Sequence, residues 1–165
     1  MDGYQISDEE KQECIEYMLC NKSLEKKLRN WKRHKSRMDA MFEMLNAFVE
    51  RARVDGGLIV SVKCDQIPTG AEHVEFFMAD KVCELHWAED KKGKLYVMVF
   101  TSKERFQECD DTSGVVMFMD ELFIMAEKRK DLDGIIINLE KEEVIFDKVM
   151  LRIVIWLLEK GKHLK

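Results

Sequence analysis

Turn-forming residues are scarce in this chain. Proline occurs once, at Pro68, and glycine eight times among 165 residues, under half the combined share of an average protein. That shortage argues against a sandwich of many short strands joined by tight turns. Long apolar runs are missing too. The longest, Val149 to Leu158, has ten residues and is interrupted by Arg152. As a helix it rises about 15 Å, half of what a bilayer core needs, so no transmembrane span is expected. The opening Met1-Asp2-Gly3-Tyr4-Gln5 has neither a basic nor an apolar segment, and no secretory signal is expected. Five cysteines (Cys14, Cys20, Cys64, Cys83, Cys109) are odd in number, irregularly spaced and never C-x-x-C. A disulfide framework or zinc knuckle is disfavoured, and reduced thiols in a cytoplasmic protein are expected. The chain also lacks an excess of base: 27 basic against 32 acidic residues give −5, which excludes a uniformly basic nucleic-acid binder.

What is present is globular. Apolar residues make up 46% and charged residues 36%, a balance that can build a core. A chain of this length predicts one domain, or one with an extension, burying about 70% of its unfolded surface. Ser7-Asp8-Glu9-Glu10 is a capping box and opens a helix. Asn21-Lys22-Ser23 breaks it, with Ser23 placed to cap a new turn. Leu24, Leu28 and Trp31 then mark a second helix. A third stripe, Met38, Met41, Phe42, Leu45, Phe48 and Val49, predicts a helix that stops before Gly56-Gly57. Beyond Gly57 the texture becomes β-branched. Strands are predicted at Leu58–Val62, Val74–Met78, Cys83–Trp87, Leu95–Phe100, Val115–Met119, Ile135–Asn138 and Val144–Phe146. The third and fourth form a hairpin across Asp90-Lys91-Lys92-Gly93. Thr101 or Ser102 caps a short helix, Asp120 caps another, and Asp147 opens a terminal helix over the Val149–Leu158 run.

No catalytic signature stands out. G-x-G-x-x-G, G-x-x-x-x-G-K-[ST], H-E-x-x-H and G-x-S-x-G are absent. His34, His73, His86 and His163 are isolated. A metal site from His73, His86 and Glu84 is one reading, but solvent-facing residues on alternating strand positions are the commoner one, and no metal or cofactor is expected. Cys83 and His86 lie three apart on a strand and should face opposite ways. Ser23-Leu24-Glu25-Lys26 fits S-x-x-K without its companion motifs. Asp110-Asp111 and Asp120-Glu121 sit where turns and caps want acids. Of eleven methionines, Met38, Met41, Met44, Met117, Met119 and Met125 fall at core-like spacings, where flexible thioethers fill irregular gaps.

One charge feature is strong. Lys22 to Arg37 holds eight basic residues and one acid, Glu25. The segment is therefore +7, and with −5 overall everything else sums to −12. A solvated helix face balanced by the chain's own acids is the plainest reading. Docking of an acidic protein partner is the next, through Lys26, Arg29, Trp31, Lys32 and Arg33. A nucleic-acid track with Trp31 available for stacking comes last. The terminal run is more apolar than one buried face requires. That excess makes Trp156 a candidate partner contact and a homo-oligomer a candidate state.

At Leu95-Tyr96-Val97-Met98-Val99-Phe100-Thr101-Ser102-Lys103-Glu104 the chain resembles the N-terminal domain of the SseB family, in which a strand runs into Phe-Thr-Ser and then a short helix. Gly114 to Met119, Glu121-Leu122-Phe123 and Asp133-Gly134-Ile135-Ile136-Ile137-Asn138 continue the pattern, and Phe48 to Val62 resembles its opening helix and strand. The resemblance covers roughly residues 40 to 158. Met98 and Leu139 stand where the family often has proline. The resemblance implies a fold and no settled biochemical activity.

The expectation is a mixed α/β domain over 38–165, with a sheet of five to seven strands and helices packed on it. A helical, basic extension over 1–37 precedes it. Function is expected to be that of a non-catalytic interaction module. The alternative is a small-molecule site or enzyme where Thr101, Ser102 and Asn138 converge. Structural duty, capping and a left-handed turn, explains those three residues first.

Overall fold

The computed structural model describes residues 5–77, 83–107, 111–139 and 142–163, with only the backbone for 161–163. Cys109, Asp110 of the carboxylate pair, Met78 at the predicted strand end, the Glu140-Lys141 connection and the His163 side chain lie outside the described side chains. Helices α1 (Asp8–Met18), α2 (Lys22–Arg33) and α3 (Met38–Arg53) come first. Then follow β1 (Gly57–Lys63), a 3-10 turn (Ala71–His73), β2 (Glu75–Phe76), β3 (Glu84–Leu85), β4 (Trp87–Glu89) and β5 (Leu95–Phe100). Helix α4 (Lys103–Phe106), β6 (Ser113–Phe118), α5 (Met119–Lys128), β7 (Gly134–Ile137), β8 (Val144–Asp147) and α6 (Lys148–His163) complete the order. The architecture is mixed α/β. No helix among the described residues is long and apolar enough to cross a membrane.

The sheet runs β2-β6-β1-β5-β7-β8, with β3 beside β1 and β4 beside β5. Among the described residues it thus has eight strands, against about five to seven expected. The seven predicted segments are all there, but Cys83–Trp87 divides at His86. Strands β1 and β5 pair only at Ile59–Phe100 and Val60–Val99, then splay. The β3–β4 segment fills the fork, pairing Val62 with Leu85 on one side and Val97 with Trp87 on the other. His86 is the pivot: its N–H donates to Ser61 O at 3.0 Å, and its carbonyl accepts from Met98 N at 3.2 Å. The expected hairpin forms, closed by Asp90 and by Gly93 at φ 80°.

Both sheet faces are buried, which is why the central strands read as unbroken apolar runs. Alternation sorts them. Leu58, Val60, Val62, Val97, Val99, Val115, Met117, Ile135 and Ile137 belong to the larger core, under α2, α3, α5 and α6. Ile59, Tyr96, Met98, Phe100, Val116 and Ile136 face the smaller core, with Ile15 and Met18 of α1 and Phe106 of α4. Phe48 anchors the larger core, edge-to-face with Phe123 at 5.7 Å and Phe146 at 5.0 Å.

Several local expectations are corrected. Ser23 lies inside α2 and does not cap it; Asn21 holds the cap position and spends its side chain elsewhere. The buried stripe of α3 is Ala40, Met44, Leu45, Phe48, Val49 and Ala52. Met38 and Phe42 flank that stripe, 69% and 43% exposed. The left-handed residue after α3 is Asp55, at φ 61°, and neither glycine. Gly56 is needed for close approach instead: a Cβ there would lie 2.6 Å from Arg51 O. Helix α5 starts one residue before Asp120, whose carboxylate accepts from the next amide. Residues 149–158 are helical, and the Asp147 carboxylate accepts from Met150 N at 2.9 Å.

Candidate functional site

The chain changes sheet faces at Asn21. Helix α1 packs on the smaller core and α2 on the larger, so their junction crosses the end of the sheet where β1 begins and β5 stops. Asn21 is 1% exposed there. Its Nδ2 donates to Gly57 O at 3.0 Å and Thr101 O at 2.9 Å. Its Oδ1 accepts from Arg51 Nε at 3.0 Å. Arg51 Nη2 donates onward to Tyr17 O at 3.1 Å and Met18 O at 3.0 Å, two carbonyls in the last turn of α1.

Of the three residues named for the alternative site, Thr101 and Asn138 meet. Thr101 N–H donates to Asn138 Oδ1 at 3.0 Å, and Asn138 Nδ2 donates to Thr101 Oγ1 at 3.0 Å. The Thr101 hydroxyl donates to Glu25 Oε1 at 3.0 Å. Thr101 is fully buried and Asn138 2% exposed. Ser102 is half-buried and stands apart: its Oγ caps α4, accepting from Arg105 N at 3.2 Å. Among the described residues every buried side-chain polar atom has a partner. A ligand reaching Thr101 or Asn138 would have to open this shell.

The sequence pattern had not singled out Asn21, Arg51 or Glu25 as a group. Their contacts span 30 to 80 residues, and no local spacing records that. It had also not singled out Ser61, whose Oγ lies 3.1 Å from His86 Nδ1. This is the geometry of a nucleophile and base. Ser61 is fully buried, however, so the pair ties the β3–β4 segment into the β1–β5 fork and offers no entry to substrate. No cluster of three or more potential metal ligands occurs among the described residues.

The basic segment divides. Glu25, its only acid, is turned inward to Thr101. Lys27 pairs with Glu43 of α3 at 3.3 Å and Arg37 with Asp39 at 2.6 Å, exposed pairs that solvent screens. Arg29 lies 3.8 Å from Glu142. Lys22, Lys26, Lys32, Arg33 and Lys35 are exposed and make no ion pair among the described residues. Trp31 is partly buried against the larger core and does not stand clear of it. On α6, Trp156 is 56% exposed, with Lys160 Nζ 4.8 Å from its ring centroid.

A cleft of about 660 Å3 opens elsewhere, between α1 and the β2 edge, lined by Ile6, Asp8, Lys11, Ile15, Glu72 and Phe76 among others.

The family model of the SseB protein N-terminal domain matches residues 24–152, from α2 into α6 and leaving α1 outside. No curated protein and no solved structure matches.

Proposed function

The chain belongs to the SseB family, and from that premise we propose that it is a non-catalytic interaction module of the cytoplasm that docks an acidic protein segment along α2. One observation carries this reading. The only acid of the 22–37 segment is withdrawn to Thr101, which leaves Lys22, Lys26 and Arg33 on one outward stripe with Arg29 between them. Spacing of three and four residues puts all four on the same face. A nucleic acid would gain from the same charge, but the aromatic it would stack on is packed against the core. Enzymatic function receives no support from the strand ends, where the polar atoms hold each other.

The test is fluorescence anisotropy with a labelled decaglutamate peptide at low and physiological salt. Tight, salt-sensitive binding that is clearly weakened in Lys26→Glu/Arg33→Glu supports the reading. Equal binding by the charge-reversed protein, or turnover of a metabolite by the wild type, overturns it. A second reading, a small-molecule carrier, draws on the cleft beside α1; a stoichiometric co-purified small molecule would favour it.

A further inference from the structure

Two guanidinium groups converge on one carboxylate oxygen beside the basic stripe. Arg105 Nη2 lies 2.7 Å from Glu142 Oε2, and Arg29 Nη1 lies 3.8 Å from the same atom. The two arginines come from different elements, α4 and α2. Arg105 is held firmly: its side chain is 16% exposed, its amide is capped by Ser102, and its neighbour Phe106 is fully buried. Arg29 belongs to the outward stripe and is 38% exposed, so a chain lying along that stripe meets it.

Glu142 is the weak member. It reaches the pair from the β7–β8 connection with a backbone φ of 61°, a left-handed conformation that glutamate seldom adopts. Its side chain is 31% exposed, and its distance to Arg29 is too long for a hydrogen bond. Each guanidinium offers five N–H donors in a planar fork suited to carboxylates. Arg105 spends one on Glu142.

Resting on the docking reading above, we propose that Arg29 and Arg105 form the receptor for a carboxylate of the acidic partner segment, and that Glu142 occupies it in the free protein as an internal competitor. Docking then exchanges one carboxylate for another. The partner's acid takes the Arg29 and Arg105 donors, and Glu142 is released to solvent.

The experiment uses the full chain and the decaglutamate probe. Glu142→Gln removes the competing charge and keeps the size; Glu142→Gly also relieves the left-handed backbone. Both are expected to bind about two- to fivefold tighter than wild type, the range of a partly exposed ion pair. Adding Arg105→Gln to Glu142→Gln is expected to erase the gain. Should neither Glu142 variant bind more tightly while Lys26→Glu/Arg33→Glu still weakens binding, the competitor is disproved and the docking surface stands. Should wild type and both Glu142 variants fail to bind, both ideas fall. A phosphoserine peptide bound in preference to decaglutamate overturns the assignment of carboxylate as the recognised group.

Discussion

Thr101 and Asn138 hold each other by two hydrogen bonds, from Thr101 N to Asn138 Oδ1 and from Asn138 Nδ2 to Thr101 Oγ1, each 3.0 Å. This reciprocal pair joins the ends of the parallel strands β5 and β7. It forms because Asn138 leaves β7 in a left-handed conformation, φ 56°, which asparagine tolerates better than most residues. The pair is closed over by Asn21 and Glu25 from the N-terminal helices. The same atoms that look ligand-ready in the sequence therefore stitch the helices to the sheet.

Asn138→Ala is expected to lower stability by about 2–4 kcal/mol. It strands a buried amide at Thr101, costing about 1–3 kcal/mol, and puts alanine in left-handed backbone, costing about 1 kcal/mol more. Asn138→Gly relieves only the second, so its loss should be smaller. Urea denaturation of the three proteins checks the order. Equal losses for alanine and glycine would show that backbone strain contributes nothing.

Lys148 ties α6 to α5. Its Nζ donates to Ala126 O, Glu127 O and Arg129 O at 2.6, 2.7 and 2.7 Å, filling carbonyls that the end of α5 leaves open. Burial pushes the Lys148 ammonium below its ordinary pKa. Lys148→Met, which keeps the apolar stem, should cost about 1–3 kcal/mol, and the loss should appear as faster amide exchange near Glu127–Arg129. Unchanged exchange there would refute the capping role.

Asp90 sets a pH dependence. Its carboxylate accepts from Lys94 N and Lys92 N, both at 2.9 Å. Those bonds, Lys94 first, hold its pKa below the ordinary carboxylate value. A depressed folded pKa favours the native state above the unfolded value near 3.8, and the contribution is lost as pH falls through the folded pKa. Wild type should therefore exceed Asp90→Asn in urea midpoint near neutrality, with the gap closing as pH drops below about 4. A gap that stays constant to pH 2 would rule the linkage out.

Docking makes its own demand on the electrolyte. Binding of decaglutamate along α2 should weaken steeply between 50 and 200 mM salt, since the stripe is exposed and screened. The slope of log affinity against log salt should shrink in Lys26→Glu/Arg33→Glu. A salt-independent affinity would place the contact elsewhere.

What the sequence alone determined was whatever depends on near neighbours. The Ser7–Glu10 capping box, the apolar, β-branched strand runs from Leu58 to Phe146, the Asp90–Gly93 turn and the left-handed Asn138 all follow from residues a few positions apart. So does the mixed α/β class, and so does the resemblance carried by Phe100-Thr101-Ser102. Tertiary structure alone decided where polar groups end up. Asn21 looked like a helix break and became the bridge between Gly57 and Thr101, because α1 and α2 cover opposite sheet faces. Glu25 looked like a stray acid in a basic helix and was drawn to Thr101, 76 residues away. The fork that splits Cys83–Trp87 into two strands depends on how far β1 and β5 twist apart, which neither strand records. Hydrophobic periodicity is a local, additive signal. A buried hydrogen bond is a demand that any distant donor can satisfy, and only the folded chain shows which one does.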